Sequence, residues 1–583
     1  MRRFPIRPSS ATPAWCVAFL LISLVARVPP AQADPLPDQP STPDDIPGMV
    51  AIDLDDHLSQ GELDAFGSEL GVTLLPSSVL TARTRIHHAT VAQEQVASLL
   101  TRLRGDQRVE HVEPLAKVHA RWVPNDPLLE QQWHMDRVGA QHAWQYASGR
   151  GVTVAVVDTG VACEDHNPFS KGSDLADTWC RTGFNFVDNN PHASDDNGHG
   201  THVAGTIAQS TNNGLGASGL AFRARLLPVK VLNAQGWGTT VAVADGIRYA
   251  ADAGAHVINL SLGGSRASRI MFDAVQYARS KGVMVVAAAG NNGQSVEYPG
   301  AFEGVVAVSA TGKDDQIARF SSRGPEVDLA APGVQVLQQT ICNGGKDRCE
   351  RFSGLSGTSM AAPHVAGAAA LLMSVGVTDP NRVESMLGSS ARLPKDEKRG
   401  GPRFGQGILD VGQAVSTNVW VQVITRFALV LMLTGFAWRH VRRKGGVARP
   451  WRPGFWVMAL AFGPGLFSLA PLFTSRVPLP VDLLARPIPE WDLLLGVSVH
   501  RWLPLAHFFV PFALSAVAFS IRKARPFIAG VAVGTAAYLV SVPLLELTTS
   551  DLRSRALLGT WALLNAAGCL WLTILHMDER ETD

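Results

Sequence analysis

Residues 151–157 form a continuous apolar, β-branched run, which marks a strand buried on both faces of a parallel sheet. Strand-like runs recur at 225–232, 256–262 and 283–289, separated by segments of helical spacing at 239–253 and 268–280. Strands alternating with helices of this length read as crossover units of an α/β fold with a parallel sheet. Sites in open sheets of this kind gather at the carboxyl ends of strands. Asp158, Ser261 and Asn291 all lie at or just past such ends.

The rest of the 583 residues is of different character, and the length allows roughly three or four domains. The net charge of +1 provides no global field for nucleic acid, which is not expected as a partner. Residues 1–33 carry Met-Arg-Arg, an apolar run at 14–25 and a small-x-small site ending at Ala33, the pattern of a signal peptide; a first transmembrane anchor is the alternative. Residues 34–47 are Pro-rich and polar, a linker. Residues 48–121 read as β-α-β-β-α-β, with strands at 49–54 and 108–118 and helices at 59–70 and 91–103, a small ferredoxin-like α+β unit. After Asp410 five apolar stretches, near 419–438, 454–473, 502–521, 526–545 and 556–575, each approach the length that crosses a ~30 Å hydrocarbon core. Arg426 interrupts the first, which calls for a shifted span or an arginine snorkelling outward. Basic residues crowd 439–453 and 522–525, placing both loops in the cytoplasm and the region before the tail outside.

Six cysteines are present: Cys16 in the leader, Cys569 in the tail, and Cys163, Cys180, Cys342 and Cys349 in the globular part. An even count in an exported domain points to two disulfides, 163–180 and 342–349 by proximity, among three formal pairings; a four-thiolate zinc site lacks a Cys-x-x-Cys knuckle.

The chemistry concentrates in Gly357-Thr358-Ser359-Met360-Ala361-Ala362-Pro363-His364-Val365-Ala366-Gly367. An apolar helix follows the serine, with Pro363 expected in its first turn, so Ser359 sits where free N–H groups and the helix dipole favour developing negative charge. For a lone Gly-Thr-Ser an N-cap is the plainer reading. A serine nucleophile needs an imidazole base and a carboxylate that orients it. His199, in Asn197-Gly198-His199-Gly200-Thr201-His202, and Asp158, in Asp158-Thr159-Gly160, are the candidates.

These three motifs, in the order Asp158, His199, Ser359, resemble those of the subtilisin-like serine proteases (subtilases), and the resemblance covers residues 122–415. It implies a subtilisin-like parallel-sheet catalytic domain, polypeptide substrates and no cofactor for the chemistry. Asn291, in Ala289-Gly290-Asn291-Asn292-Gly293, would donate its amide to the oxyanion beside the Ser359 N–H. Ser261-Leu262-Gly263-Gly264 resembles the substrate-binding strand edge, and Glu297, before Tyr298-Pro299, the floor of the specificity pocket. Thr211-Asn212-Asn213-Gly214-Leu215-Gly216-Ala217 resembles the family's calcium loop, with Asn213 and the carbonyls of Leu215 and Ala217 as ligands; a partner carboxylate is not clearly matched after Asp158. By position, 48–121 resembles the family's inhibitory propeptide, a partner to its own protease. His202 and His364 read as buried structural histidines, and Asp195 and Asp196 as a solvated loop. The expected protein is a membrane-anchored extracytoplasmic endopeptidase made as a self-processing zymogen, with residues 416–583 as its transmembrane domain; a polytopic sensor with an accessory protease is the alternative.

Overall fold

The computed structural model describes residues 45–76, 78, 81, 83–116, 123–469, 485–494, 507–545, 547 and 552–578. The leader and most of the linker expected before Asp45, the junction at Arg121 and Trp122, and parts of two apolar tail stretches lie outside these. The chain divides into two units, Met1–His119 and Ala120–Asp583.

In the first unit, β1 (Asp45–Leu54), β2 (Ile86–Thr90) and β3 (Val109–Ala116) form an antiparallel sheet in the order β2-β1-β3. The helices Gln60–Leu70 and Val96–Leu103 supply Leu63, Phe66, Leu100 and Leu103 to a core with Val50, Ile52 and Leu54. Ser59 and Glu62 close a capping box at the first helix, and Gly71 ends it in the left-handed region. The expected β-α-β-β-α-β order is not met among the described residues. The stretch that was to make the extra strand contributes only an isolated bridge, Leu75 to His88.

In the second unit eight strands form one parallel sheet: β4 (Thr153–Asp158), β5 (Trp179–Cys180), β6 (Phe184–Asn185), β7 (Arg225–Lys230), β8 (Val257–Leu260), β9 (Met284–Ala288), β10 (Val305–Thr311) and β11 (Val327–Pro332). Their order is β11-β10-β9-β8-β4-β7-β5, with β6 beside β7. Both faces are covered, and alternate residues of β4 show it: Val154 and Val156 enter one core, Ala155 and Val157 the other. The first core also receives the helices His199–Ala208 and Thr358–Ser374; the second receives Thr240–Asp252 and Arg269–Ser280. A hairpin of β12 (Val336–Gln339) and β13 (Phe352–Leu355) precedes the Thr358 helix. Disulfides join Cys163 to Cys180 and Cys342 to Cys349, as their proximity predicts, and Cys569 is free and buried.

The tail departs from expectation. Among the described residues three helices, not five, are long and apolar enough to cross a membrane: Val411–Arg443, Arg522–Leu544 and Ala556–Met577. The helix Pro453–Phe462 stops at Gly463-Pro464-Gly465, a break that average hydropathy cannot register. At ten residues it rises about 15 Å, half of a hydrocarbon core. Within the described part of the third stretch, 507–521, the helix is the equally short Phe509–Ala518. Arg426 does not reach outward. It is buried, paired with Glu490 at 2.6 Å, donates to Ser541 Oγ at 3.1 Å and lies over the Tyr538 ring. A charge at that depth is tolerable only with such partners.

Candidate active site

Asp158 ends β4, fully buried, and its Oδ1 accepts the His199 ring N–H at Nδ1 and the Thr159 N–H, each at 2.7 Å. The other oxygen, Oδ2, has no hydrogen-bond partner among the described residues. Burial pulls the His199 pKa down, but the Asp158 charge and hydrogen bond outweigh it, and the imidazole stands above its ordinary value. This is the bias wanted in a base that must hold a proton as imidazolium.

His199 opens its helix because of Asp195, which is no part of a solvated loop. Asp195 is buried and accepts from the N–H groups of Asn197, Gly198 and Thr201 and from the hydroxyls of Thr201 and Thr159. Burial raises its carboxyl pKa, against these donors. Asp-Asp-Asn-Gly is an Asx-turn signal that could have found it. Asp196 is half-buried and pairs with the buried Lys230, whose ammonium also donates to the carbonyls of Thr159 and Leu232. Gly200 lets the two loops close, since a Cβ there would fall 2.0 Å from the Gly160 carbonyl oxygen.

Ser359 is the second residue of the helix Thr358–Ser374. Pro363 falls in the second turn, not the first, and the difference matters. A residue four beyond Ser359 would normally bond its carbonyl; Pro363 has no N–H, and the Ser359 carbonyl accepts the Ser261 hydroxyl at 2.7 Å. The Asn259 amide holds that hydroxyl at 2.9 Å, so the substrate-strand residue Ser261 also braces the serine's backbone. Ser359 Oγ donates to the Ser261 carbonyl at 3.1 Å; among the described residues it has no hydrogen bond to His199. Nucleophile–base bonds are commonly long before substrate arrives.

Asn291 follows β9, and its Oδ1 accepts from the N–H and hydroxyl of Thr358 at 2.9 and 3.0 Å. That turns its NH2 outward, beside the start of the serine's helix, with Gly357 alongside. Leu262 and Gly263 continue past β8, and Gly264 pairs with Tyr298. Glu297 is half-buried between the two edges. A Cβ at Gly263 would meet its Oε2 at 2.8 Å and one at Gly290 its Cδ at 2.7 Å, while Oε1 accepts from Asn292.

His202 and His364 are structural in their contacts. His202 Nε2 lies on the carbonyls of Val336 and Ser353; His364 Nδ1 donates to the Met360 carbonyl and its Nε2 accepts from His134. Burial holds the His202 and His364 rings down to about 4.

Asn213 sits in a loop with two carboxylates that the sequence reading missed. Asp174 accepts from the Asn213 amide and the Ala217 N–H; Asp126 accepts from the N–H groups of Asn212 and Asn213 and from the Ser218 hydroxyl. Burial chiefly, and Asp126 in addition, push Asp174 up to about 7 against its hydrogen bonds. Each carboxylate oxygen already accepts an N–H or O–H, and the two buried carboxylates with the Asn213 amide are hard-oxygen donors of the kind that suits calcium. Among the described residues no group of three or more His, Cys, Asp or Glu could hold a metal, so amide and carbonyl oxygens would have to complete the shell.

A buried acid, an imidazole and a helix-borne serine at neighbouring strand ends define a class, the serine hydrolases built on a parallel α/β sheet. Comparison with known proteins makes this particular. The model of the Subtilase family matches residues 149–408. The thermophilic serine proteinase of Bacillus sp. (strain AK1) is 38% identical over 334 residues, 57% of this chain and 79% of that protein. Thermitase of Thermoactinomyces vulgaris is 43% identical over 262 residues, 45% of this chain and 88% of that protein. Among solved structures, a protease from Pseudoalteromonas arctica PAMC 21717 is 34% identical with a TM-score of 0.45, covering 51% of this chain and 99% of that one. The chain belongs to the subtilase family and is a subtilisin-like serine protease.

Proposed function

We propose that this protein is a membrane-anchored extracytoplasmic endopeptidase, made as a zymogen that processes itself. The observation that carries the chemistry is the bond from half-exposed His199 to buried Asp158, beside the helix that starts at Thr358. A peptide adds as a strand along Ser261-Leu262-Gly263, with the side chain before the scissile bond directed toward Glu297. Ser359 Oγ leaves the Ser261 carbonyl and attacks the peptide carbon, and its proton passes to His199 Nε2. Asp158 holds the opposite ring nitrogen and stabilises the imidazolium. The oxyanion is met by the Asn291 NH2 and the Ser359 N–H. His199 then protonates the leaving amine, and water repeats the sequence on the acyl-enzyme.

Residues 48–121 act as the inhibitory propeptide, and removal after Arg121 fits a preference for basic residues at the cut. Asp126, Asp174, Asn213 and the carbonyls of Leu215 and Ala217 would hold a calcium ion, whose charge would offset the two carboxylates and stiffen the loop. Three long apolar helices support the anchoring. An antiparallel bridge between Ala448 and Asp578 sets the basic 439–453 loop beside the end of the last helix, as expected if both face the cytoplasm.

The test is full-length protein against Ser359→Ala. The parent should hydrolyse peptides, pellet with membranes after carbonate washing and carry an N-terminus at Trp122; Ser359→Ala should be inert and uncut. Normal processing of purified Ser359→Ala would sink the assignment.

A further inference from the structure

The tail is more than a tether, as its contacts with the end of the serine's helix show. That helix finishes at Ser374, where its last carbonyls lack intrahelical partners. Arg486 donates to the Ser374 carbonyl, a cation where the helix dipole is negative. Gln422 donates to the Val375 carbonyl at 3.1 Å. Glu490 borders Gly376, and Leu547 accepts the Thr378 N–H at 2.7 Å. Three separate tail segments thus converge on residues 374–379. The Arg426–Glu490 ion pair ties two of them together, and Leu493 and Leu547 are buried in the same core as Leu371, Val375 and Val377.

No slack separates the two parts. Leu409 still bonds Ala330 of β11, and the long helix begins two residues later at Val411, capped by Asp410. Its start is buried in the catalytic core through Val411, Ala414 and Val415. Beyond Val423 it exposes Ile424, Phe427, Leu431, Met432, Phe436 and Trp438, the side chains a lipid would cover. With Val421 exposed as well, the outer edge of the apolar zone falls near residues 420–426, level with the 374–379 loop that Gln422 contacts. From there the helix Thr358–Ser374 runs back toward the start of the long helix, since His364 meets His134 and the nearby Val138 accepts the Val411 N–H, and fifteen residues at 1.5 Å each separate Ser374 from Ser359 by about 22 Å.

On the reading that the tail spans a membrane, we infer that it is a rigid stand holding the active site about 20 Å beyond the outer edge of the hydrocarbon core. Its substrates are then soluble polypeptides, or the distal parts of membrane-anchored ones; bonds close to the bilayer lie out of reach.

The full-length enzyme would be reconstituted in vesicles with single-span substrates carrying one cleavage sequence on helical spacers of graded length, each residue adding about 1.5 Å. Cleavage should be at least tenfold slower at spacers of about 4–8 residues and rise steeply beyond about 14. Arg486→Ala combined with Gln422→Ala and a flexible insertion after Asp410 should flatten this dependence while soluble-peptide hydrolysis persists. Equal cleavage at every height by the parent, with the enzyme retained after carbonate washing, overturns the stand. Release by carbonate overturns the membrane reading, and the stand with it.

Discussion

Glu297→Gln is the most informative single change, because it separates a charged pocket from an apolar one without altering shape. The side chain lies between Gly263 and Gly290, and Gly290, at φ 110°, leaves the space that the Glu297 carboxyl group occupies. An arginine or lysine reaching this floor would meet a carboxylate that shares only one oxygen, with Asn292 at 3.0 Å. At ~4 Å and an effective dielectric near 20, the bare attraction is about 4 kcal/mol. Stripping water from both charges returns about a third to two thirds of it, leaving about 1.4–2.8 kcal/mol. That corresponds to roughly tenfold to hundredfold in kcat/KM over an uncharged side chain. The assay is kcat/KM on matched peptides with Arg, Lys, Gln, Met or Phe before the scissile bond, for parent and Glu297→Gln. The parent should prefer Arg and Lys by that factor, and the variant should lose the preference while cleaving the neutral peptides as before. A preference for Phe or Met in the parent, unchanged in Glu297→Gln, would refute the reasoning.

Asn291→Ala should lower kcat about 10²–10³-fold with KM nearly constant, because the donor acts on the oxyanion and not on bound substrate; a rise confined to KM would count against that role. His202 and His364 are held neutral, with pKa values of about 4 against 6.5 when unfolded. The unfolded chain therefore takes up protons first as pH falls, and stability drains away from about pH 6.5 down to about 4, by on the order of 3 kcal/mol per site. Melts of Ser359→Ala with and without His364→Gln should show the parent background losing several degrees more over this window; identical pH profiles would dismiss the idea. Calcium at about a hundredfold excess over its Kd should stabilise the folded protein by about 2.7 kcal/mol. Asp174→Asn should abolish the accompanying rise in Tm, and an undiminished rise would place the ion elsewhere.

Much of this protein is legible locally. The parallel strands follow from apolar, β-branched runs buried on both faces, and the helix starts from side chains such as Ser59, Thr239 and Ser268, each capping its own backbone. The order of the motifs around Asp158, His199 and Ser359 carried the family, and sequence proximity carried both disulfide pairings. What only the tertiary structure decided depends on partners far apart in the chain. Asp195 looks like any loop carboxylate until Thr159 and the His199 turn fold onto it, and Asp174 until the 211–217 loop does. Pro363 reads as a helix-start residue until the Ser261 hydroxyl takes the carbonyl it leaves free. Arg426 reads as an interruption of a span, because Glu490 lies 64 residues away and Ser541 115. Hydropathy is an average over a window, so it counts five apolar stretches where Gly463-Pro464-Gly465 breaks one of them. Periodicity and capping are local and survive in sequence; the pairing of buried polar groups is set by which distant segments meet, and only the folded chain fixes that.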